Sequence, residues 1–452
     1  MRVAVVGAGW AGLASAICLT EAGHQATLFD AAPGCGGRAR GIAGAWQGRL
    51  GATAPIETPA APLALDNGQH LVIGAYSALL DLLGRIGVAE SQVFERLPFR
   101  LDDGGGLVIP GPGLGGLLRA RGLPWSLRLA LVKVLAGIVI GRDRALATAR
   151  GKSVAAWSRD SGHPPALLTT FWRPLVVSTM NTPIEAACAE TFVRVLADSL
   201  AGARGASDFL IPHGTLSTAF VDPALAWLRN RGVAVRNGCD IRAIARDGAG
   251  YRLVAGGDRG APPGAGDLAL GGFGGVVIAT PPGIAARILG RGSEAPSPAL
   301  LALVEKLEAF DYRPITTVYL GWRLPGAAGG QVPAPPGAAA EPGSQPLPTA
   351  TTRSRNQASA ADAWQRLPVA TLLHDDASTR RYGQWLFRRP AQAPWRVAAV
   401  VISDSAAAMA RPREALAGDV ASQLTEVLGL PPAEVYAVLH DRRATIAAVH
   451  DR

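Results

Sequence analysis

Four cysteines in 452 residues are few, and Cys18, Cys35, Cys188 and Cys239 form neither a CxxC pair nor a metal-ligand spacing. That excludes a disulfide-stapled scaffold and reads as the reduced thiols of an intracellular protein. The seven histidines contain no HxH or HxxxH pair, so no metal site is expected. Charge is sparse as well. Charged residues make up 17% of the chain against 48% hydrophobic, a balance that excludes whole-chain disorder. Aromatics reach only 6%. No apolar run attains the roughly 20 residues a bilayer-spanning helix needs. The opening run MRVAVVGAGWAGLASAICL is interrupted by Gly7, Gly9 and Gly12, which argues against a secretory signal. At this length two intertwined domains are expected.

Acidic residues are scarcest in one window. Between Gly104 and Arg159 stand nine basic residues and a single acid, Asp143, so the window carries +8 of a net +9. Inside it lies LPWSLRLALVKVLAGIVIG, apolar apart from Ser126, Arg128 and Lys133. A nucleic-acid surface would interleave its basic residues with polar and aromatic ones, so no nucleic-acid partner is expected. An apolar segment flanked by Arg and Lys fits the interface of an anionic membrane. A buried helix beside a solvated basic face fits the same residues.

What is present begins at residue 2. RVAVVG has the form of a strand buried on both faces. GAGWAG follows, with Gly7, Gly9 and Gly12 in GxGxxG spacing; LASAICLTEAG reads as a helix closed by Gly23, and HQATLFD as a strand ending in Asp30. Gly7 permits the tight turn, Gly9 lets the backbone approach a pyrophosphate, and Gly12 lets helix and strand pack closely. The helix N-terminus offers free N–H groups to phosphate. Asp30, 23 residues after Gly7, is placed to accept from ribose hydroxyls. Together these predict a dinucleotide site. The acid does not separate NAD from FAD. GCGGRAR does favour FAD, because it resembles the glycine-glycine-basic element of the amine-oxidase and phytoene-desaturase flavoproteins. Gly36 and Gly37 would let the chain lie against the cofactor, and Arg38 would meet phosphate.

With DNGQHLVIGAY, FWRPLVVSTMNTP, YRPITTVYL and QWLF added, the sequence resembles the squalene-associated FAD-dependent desaturases, the hydroxysqualene dehydroxylases of bacterial hopanoid biosynthesis. The resemblance runs from Met1 to about Thr445. It implies an α/β fold, a Rossmann-like FAD-binding domain interleaved with an α+β substrate domain of mixed sheet and helices. The expected division is 1–85 and 205–290 for FAD, and 86–204 and 291–452 for substrate. It also implies a reductive activity, in which hydroxysqualene and reduced flavin give squalene, oxidised flavin and water. The ADP part of FAD is expected on Gly7, Gly9, Gly12, Asp30, Gly37 and Arg38. Gly68, Gln69 and His70 are expected by the flavin ring, with Ile241 as the adenine contact. GGVVIATPP resembles a later Rossmann strand.

The sequence departs from that family in two ways. Residues 323–368 hold a Pro/Gly/Ala-rich stretch expected to be a disordered insertion, and Gly48 to Pro62 a smaller one. The glycine-aspartate turn and closing helix of the family's C-terminus have no counterpart before Arg452, so weak flavin retention is expected.

Loss of hydroxide calls for a proton donor, for which His70 and Asp66 are candidates, although a loop histidine is also an ordinary hydrogen-bonder. Trp172, Phe171 and Tyr312 could stabilise a developing cation, or serve as plain core residues. The substrate implied is a C30 polyprenoid, which suits a peripheral protein on the inner face of the cytoplasmic membrane, with an unnamed electron donor and a pathway enzyme as further partners. A carotenoid-type desaturase or amine oxidase, and an inactive membrane- or partner-binding protein, remain as rival readings.

Overall fold

The computed structural model describes residues 1–42, 65–201, 204–256, 268–292, 296–323, 364–389 and 395–450. Val3, Ala4, Val5 and Val6 are all buried, as a strand covered on both faces requires. They form β1 (Arg2–Val6), which pairs in parallel with β2 (Gln25–Asp30) on one side and with Gly275–Ile278 on the other. The strand Ala234–Asn237 adds to the far side of β2, again in parallel. Parallel neighbours need a crossover, and α1 (Trp10–Glu21) supplies the one between β1 and β2. Its Gly12, Leu13, Ala16 and Ile17 are buried at helical spacing, and Gly23, at φ +77°, follows its end.

By chain contacts the protein divides into two units. The first comprises Met1–Ala43, Ala64–Leu97 and Phe209–Tyr312. Beside the parallel sheet it holds an antiparallel sheet of Ile241–Asp247, Gly250–Ala255 and Leu268–Phe273. A further small sheet joins Val72–Ile73 and Phe94–Leu97 to Phe209–Pro212. The helix Ser77–Arg85 buries Leu82 and Leu83, followed by Ile86, so the loop before it is anchored in the core of this unit. This unit runs to Leu97 and to Tyr312, past the expected edges at 85 and 290. The reason is packing: Phe94–Leu97 pairs with Phe209–Pro212, and the helices Pro282–Gly290 and Pro298–Glu308 lie together.

The described parts of the second unit fall in Pro98–Asp208 and Arg313–Arg452. Helices including Trp125–Ile140, Val154–Asp160 and Ala189–Ala201 enclose one core around Leu131, Trp157, Trp172 and Phe192. A five-stranded sheet has the order Ala370–Leu372, Trp385–Arg388, Trp395–Ser403, Tyr312–Arg323, Glu434–Ile446. Its first three pairings are antiparallel. The helix Arg413–Leu428 buries Leu416, Val420 and Leu424 with Val318 and Val400 of this sheet. No described helix is long and apolar enough to cross a membrane.

The expected insertion at Gly48 to Pro62 lies outside the described residues, as does most of 323–368. Two described residues near the end of the latter correct its boundary. Trp364 and Leu367 are buried in the core of the second unit, and Trp364 packs on Trp322 at 5.0 Å between ring centroids. Large apolar side chains end that stretch because they have a core to enter.

Candidate cofactor-binding site

The turn after β1 is built from close backbone contacts. Gly7 has φ +103°, and a Cβ there would stand 2.5 Å from the Ala279 carbonyl oxygen. A Cβ on Gly12 would meet the Gly7 carbonyl oxygen at 1.7 Å. Both positions therefore require glycine to bring helix, turn and neighbouring strand together. Gly9 differs, since a Cβ there would reach only Gly37 Cα, at 3.9 Å. The space over Gly9 is thus a cradle that a side chain would fill. Gly9 caps α1 without a side-chain hydrogen bond, and the first turn of α1 holds no acid. Its first N–H groups and the positive end of the helix dipole therefore suit a phosphate. These features fit the pyrophosphate of a dinucleotide.

Three other segments converge on this turn. The Gly36 amide donates to the Ala8 carbonyl at 2.8 Å, and Gly37, at φ +62°, would place a Cβ 3.1 Å from Gly9 Cα. Asp30 accepts from the Ala8 amide at 2.6 Å and from the Ala32 amide at 2.7 Å. A carboxylate has about four acceptor positions, so two backbone bonds leave capacity for a ribose. The amides of Gly238 and Cys239 donate to the carbonyls of Ala32 and Asp30, each at 2.9 Å. Ile241 follows two residues later, with its side chain buried beside Phe29. Gly7, Gly9, Gly12, Asp30, Gly37 and the Ile241 segment thus come together at the C-terminal ends of parallel strands. Arg38 is exposed next to Gly37.

Sequence reasoning missed Cys35 and Asn237. Burial, with Asp30 nearby, pushes the Cys35 thiol up from its ordinary value. The protonated thiol donates to Asn237 Oδ1 at 3.2 Å, linking the glycine-rich loop to the strand Ala234–Asn237. Cys35 lies within GCGGRAR but is not one of its glycine or basic positions, and 202 positions separate it from Asn237. Ala279, whose amide donates to the Val6 carbonyl at 2.8 Å, was read only as part of a strand and turn.

The DNGQH segment has a buried end and an exposed end. Asp66 is 1% exposed, and its Oδ1 accepts from the Leu216 amide at 2.8 Å. Its neighbour Asn67 donates its amide to the Arg40 carbonyl at 2.8 Å. Gly68, at φ +128°, turns the chain, and Gln69 Nε2 donates to the His70 carbonyl at 3.1 Å. His70 itself is exposed. Asp66 holds this loop to the start of the wide helical turn Ser217–Val221, whose Ser217 hydroxyl accepts from the Gly41 amide at 2.8 Å.

The aromatic candidates are placed differently. Phe171 and Trp172 belong to the second unit and sit in another wide turn, Leu168–Trp172. Trp172 is fully buried, with Phe171, Phe192 and His163 at centroid distances of 5.4, 5.6 and 6.2 Å. Burial lowers the His163 pKa from its ordinary value, which keeps this ring neutral at pH 7. Tyr312 is partly buried at the start of the strand Tyr312–Arg323. Among the described residues no group of three or more His, Cys, Asp or Glu could hold a metal ion.

The profile of the flavin containing amine oxidoreductase family matches residues 10–441. A hydroxysqualene dehydroxylase from Zymomonas mobilis is 26% identical over 245 residues, 51% of this chain and 52% of that protein. A second, from Rhodopseudomonas palustris, is 27% identical over 367 residues, 71% of this chain and 77% of that protein. A probable zeta-carotene desaturase from Synechococcus elongatus is also similar, at 26% identity over 54% of this chain and 51% of its own length. The chain thus spans about half the length of two of these relatives. Among solved structures, an oxidoreductase from Methanosarcina mazei superposes with a TM-score of 0.63 at 13% identity. That superposition covers 98% of this chain and 88% of the other, a likeness of fold alone.

Proposed function

The chain belongs to the flavin containing amine oxidoreductase family and is an FAD-dependent oxidoreductase; on that premise we propose that it converts hydroxysqualene reductively to squalene in hopanoid biosynthesis. The observation that supports this reading is the match to the Rhodopseudomonas palustris hydroxysqualene dehydroxylase across 71% of the chain. In the reaction a C–O bond breaks, a C–H bond forms, and hydroxide leaves as water after taking up a proton. FAD held at Gly9, Asp30 and the N-terminus of α1 would supply the hydride when reduced, an external two-electron donor being required for each turnover.

The residues of this chain hold the cofactor and deliver the proton. Gly9, the N-terminus of α1 and Arg38 are assigned to the pyrophosphate, Asp30 to ribose, and the backbone at Ile241 to adenine. His70, exposed at the end of a loop anchored by Asp66, is assigned as proton donor, because hydroxide is a poor leaving group. Asp66 is a positioning residue, since its carboxylate is buried and bonded to the Leu216 amide. Tyr312, in the same unit as His70, is assigned to the developing cation, while Phe171 and Trp172 pack on each other in the core of the second unit. On this reading a C30 polyprenoid substrate suits work at the inner face of the cytoplasmic membrane.

The test is product analysis. FAD-loaded protein reduced with dithionite and mixed anaerobically with hydroxysqualene in detergent should yield squalene. Replacing His70 with Ala should lower kcat/KM by about a hundredfold and flatten its pH dependence. Oxidation of zeta-carotene or phytoene by the oxidised protein, with no squalene formed, would replace this reading by a desaturase. Absence of flavin binding would leave a protein that only binds membrane or a partner enzyme.

A further inference from the structure

The helix Trp125–Ile140 is apolar on two opposite sides. Leu127, Leu131, Leu135 and Ile138 enter the core of the second unit. Trp125, Leu129, Lys133, Gly137 and Ile140 are exposed, and at 100° per residue they share an arc of about 120°. Trp125 is 63%, Leu129 65% and Ile140 86% exposed. A helix on a water-facing surface carries mostly polar residues on such an arc, and here only Ser126 and Lys133 are polar. Exposed Leu118 and Val139 widen the patch. Scattered exposed apolar residues need no account, but an aligned set of this kind marks a contact surface.

Cations outnumber carboxylates around it, Asp143 standing exposed between Arg142 and Arg144. Arg142 pairs with Asp198 at 2.8 Å, and Arg150 approaches Glu190 at 3.9 Å. Arg119, Arg121, Lys133 and Arg144 have no carboxylate partner among the described residues. The Arg128 guanidinium lies 4.5 Å from the Trp125 ring centroid and donates to the Leu123 carbonyl at 2.8 Å, fixing a cation beside the exposed indole. A groove of about 580 Å³ opens between this helix, Arg142–Ala149 and the loop at His163. Val134, Ile138 and Trp157 line it, its cations are Lys133 and Arg144, and no carboxylate faces it.

We propose that this face docks on an anionic lipid bilayer. Trp125, Leu129 and Ile140 enter the boundary between headgroups and acyl chains, and Lys133 and Arg144 meet lipid phosphates at the mouth of the groove. A second copy of the chain is a poor occupant, because it would set unpaired cations against unpaired cations. Docking of this kind is independent of flavin and of the substrate proposed above, so a failed dehydroxylase assay leaves it standing.

Flotation of the full chain with vesicles tests it. The protein should float with vesicles of phosphatidylglycerol and phosphatidylcholine in equal parts, stay behind with pure phosphatidylcholine, and release as salt rises. Lys133→Glu with Arg144→Glu should lower partitioning by at least about tenfold. Leu129→Ser with Ile140→Ser should do the same through lost apolar burial, by at least about tenfold. Arg252→Glu with Arg287→Glu removes equal charge from exposed sites of the first unit and should change partitioning by less than about twofold. All these positions are exposed, and circular dichroism checks that each variant is folded. Equal binding to neutral vesicles, no binding to anionic ones, or equal loss in the two charge-reversal pairs would overturn the proposal.

Discussion

Glycines of one motif differ in what an added methyl group would meet. At Gly12 it collides with the Gly7 carbonyl at 1.7 Å, whereas at Gly9 it meets only Gly37 Cα at 3.9 Å. Gly12→Ala should therefore lower stability by about 3 kcal/mol or more, read in denaturant unfolding of the flavin-free protein. Gly9→Ala should leave that stability unchanged and abolish flavin binding, read from the visible absorption of protein mixed with FAD. Asp30 combines both effects. It binds the amides of Ala8 and Ala32, so Asp30→Ala should cost about 2 kcal/mol even without cofactor. Flavin-free Asp30→Ala as stable as the parent would show that these two bonds carry no net weight.

Elements of the second unit are pinned by polar side chains. Asp103 follows the short strand Leu101–Asp102, and its carboxylate meets His374 Nε2 at 3.1 Å. Burial opposes its charge, but hydrogen bonds from His374 and from the amides of Gly105 and Leu107 outweigh that and hold it below the usual range. The same bond to Asp103 raises the half-exposed His374 above its ordinary value. A raised histidine stabilises fully below its unfolded pKa of about 6.5 and loses that effect as pH rises through the folded value. A lowered aspartate stabilises above about 3.9 and loses it as pH falls through its folded value. The pair is therefore strongest between these limits. The Tm difference between the parent and His374→Ala should be larger at about pH 5.5 than at about pH 9. A difference that does not vary with pH would contradict this. On the helix Arg413–Leu428, buried Gln423 accepts from the Gly383 amide at 2.8 Å and donates to the Gly383 carbonyl at 2.9 Å. Gln423→Leu would strand both groups, and a loss of about 2–4 kcal/mol is expected in urea unfolding.

At the scale of the whole molecule, cofactor and stability are linked. A ligand bound only by the folded state stabilises it by about 2.7 kcal/mol at a hundredfold excess over its dissociation constant. Adding FAD should therefore raise Tm in a saturable way in the parent and not in Gly9→Ala. Much of the first unit was legible because its signals are local. Buried valines specify a central strand, Gly23 ends a helix, and Gly12 serves a contact with Gly7 five positions away. The site was legible where residues follow the glycine spacing. It was not legible at Cys35 and Asn237, which meet across 202 positions, or at Ala279, which reaches Val6 and Gly7 only after the strands have paired.

By itself the sequence determined that the first strand, glycine turn and helix follow one another as a unit, because the close approach of Gly12 to the Gly7 carbonyl acts within a few residues. It also determined that Trp125–Ile140 is an apolar helix in a basic setting. Only the tertiary structure decided which side of that helix meets water, since an all-round apolar helix carries no periodic signal to choose one. It likewise decided that Asp66 bonds Leu216, 150 positions away, and that Trp172 is wholly buried while His70 is exposed. Burial and hydrogen-bond partnership are properties of what folds against a residue, and those neighbours come from distant parts of the chain.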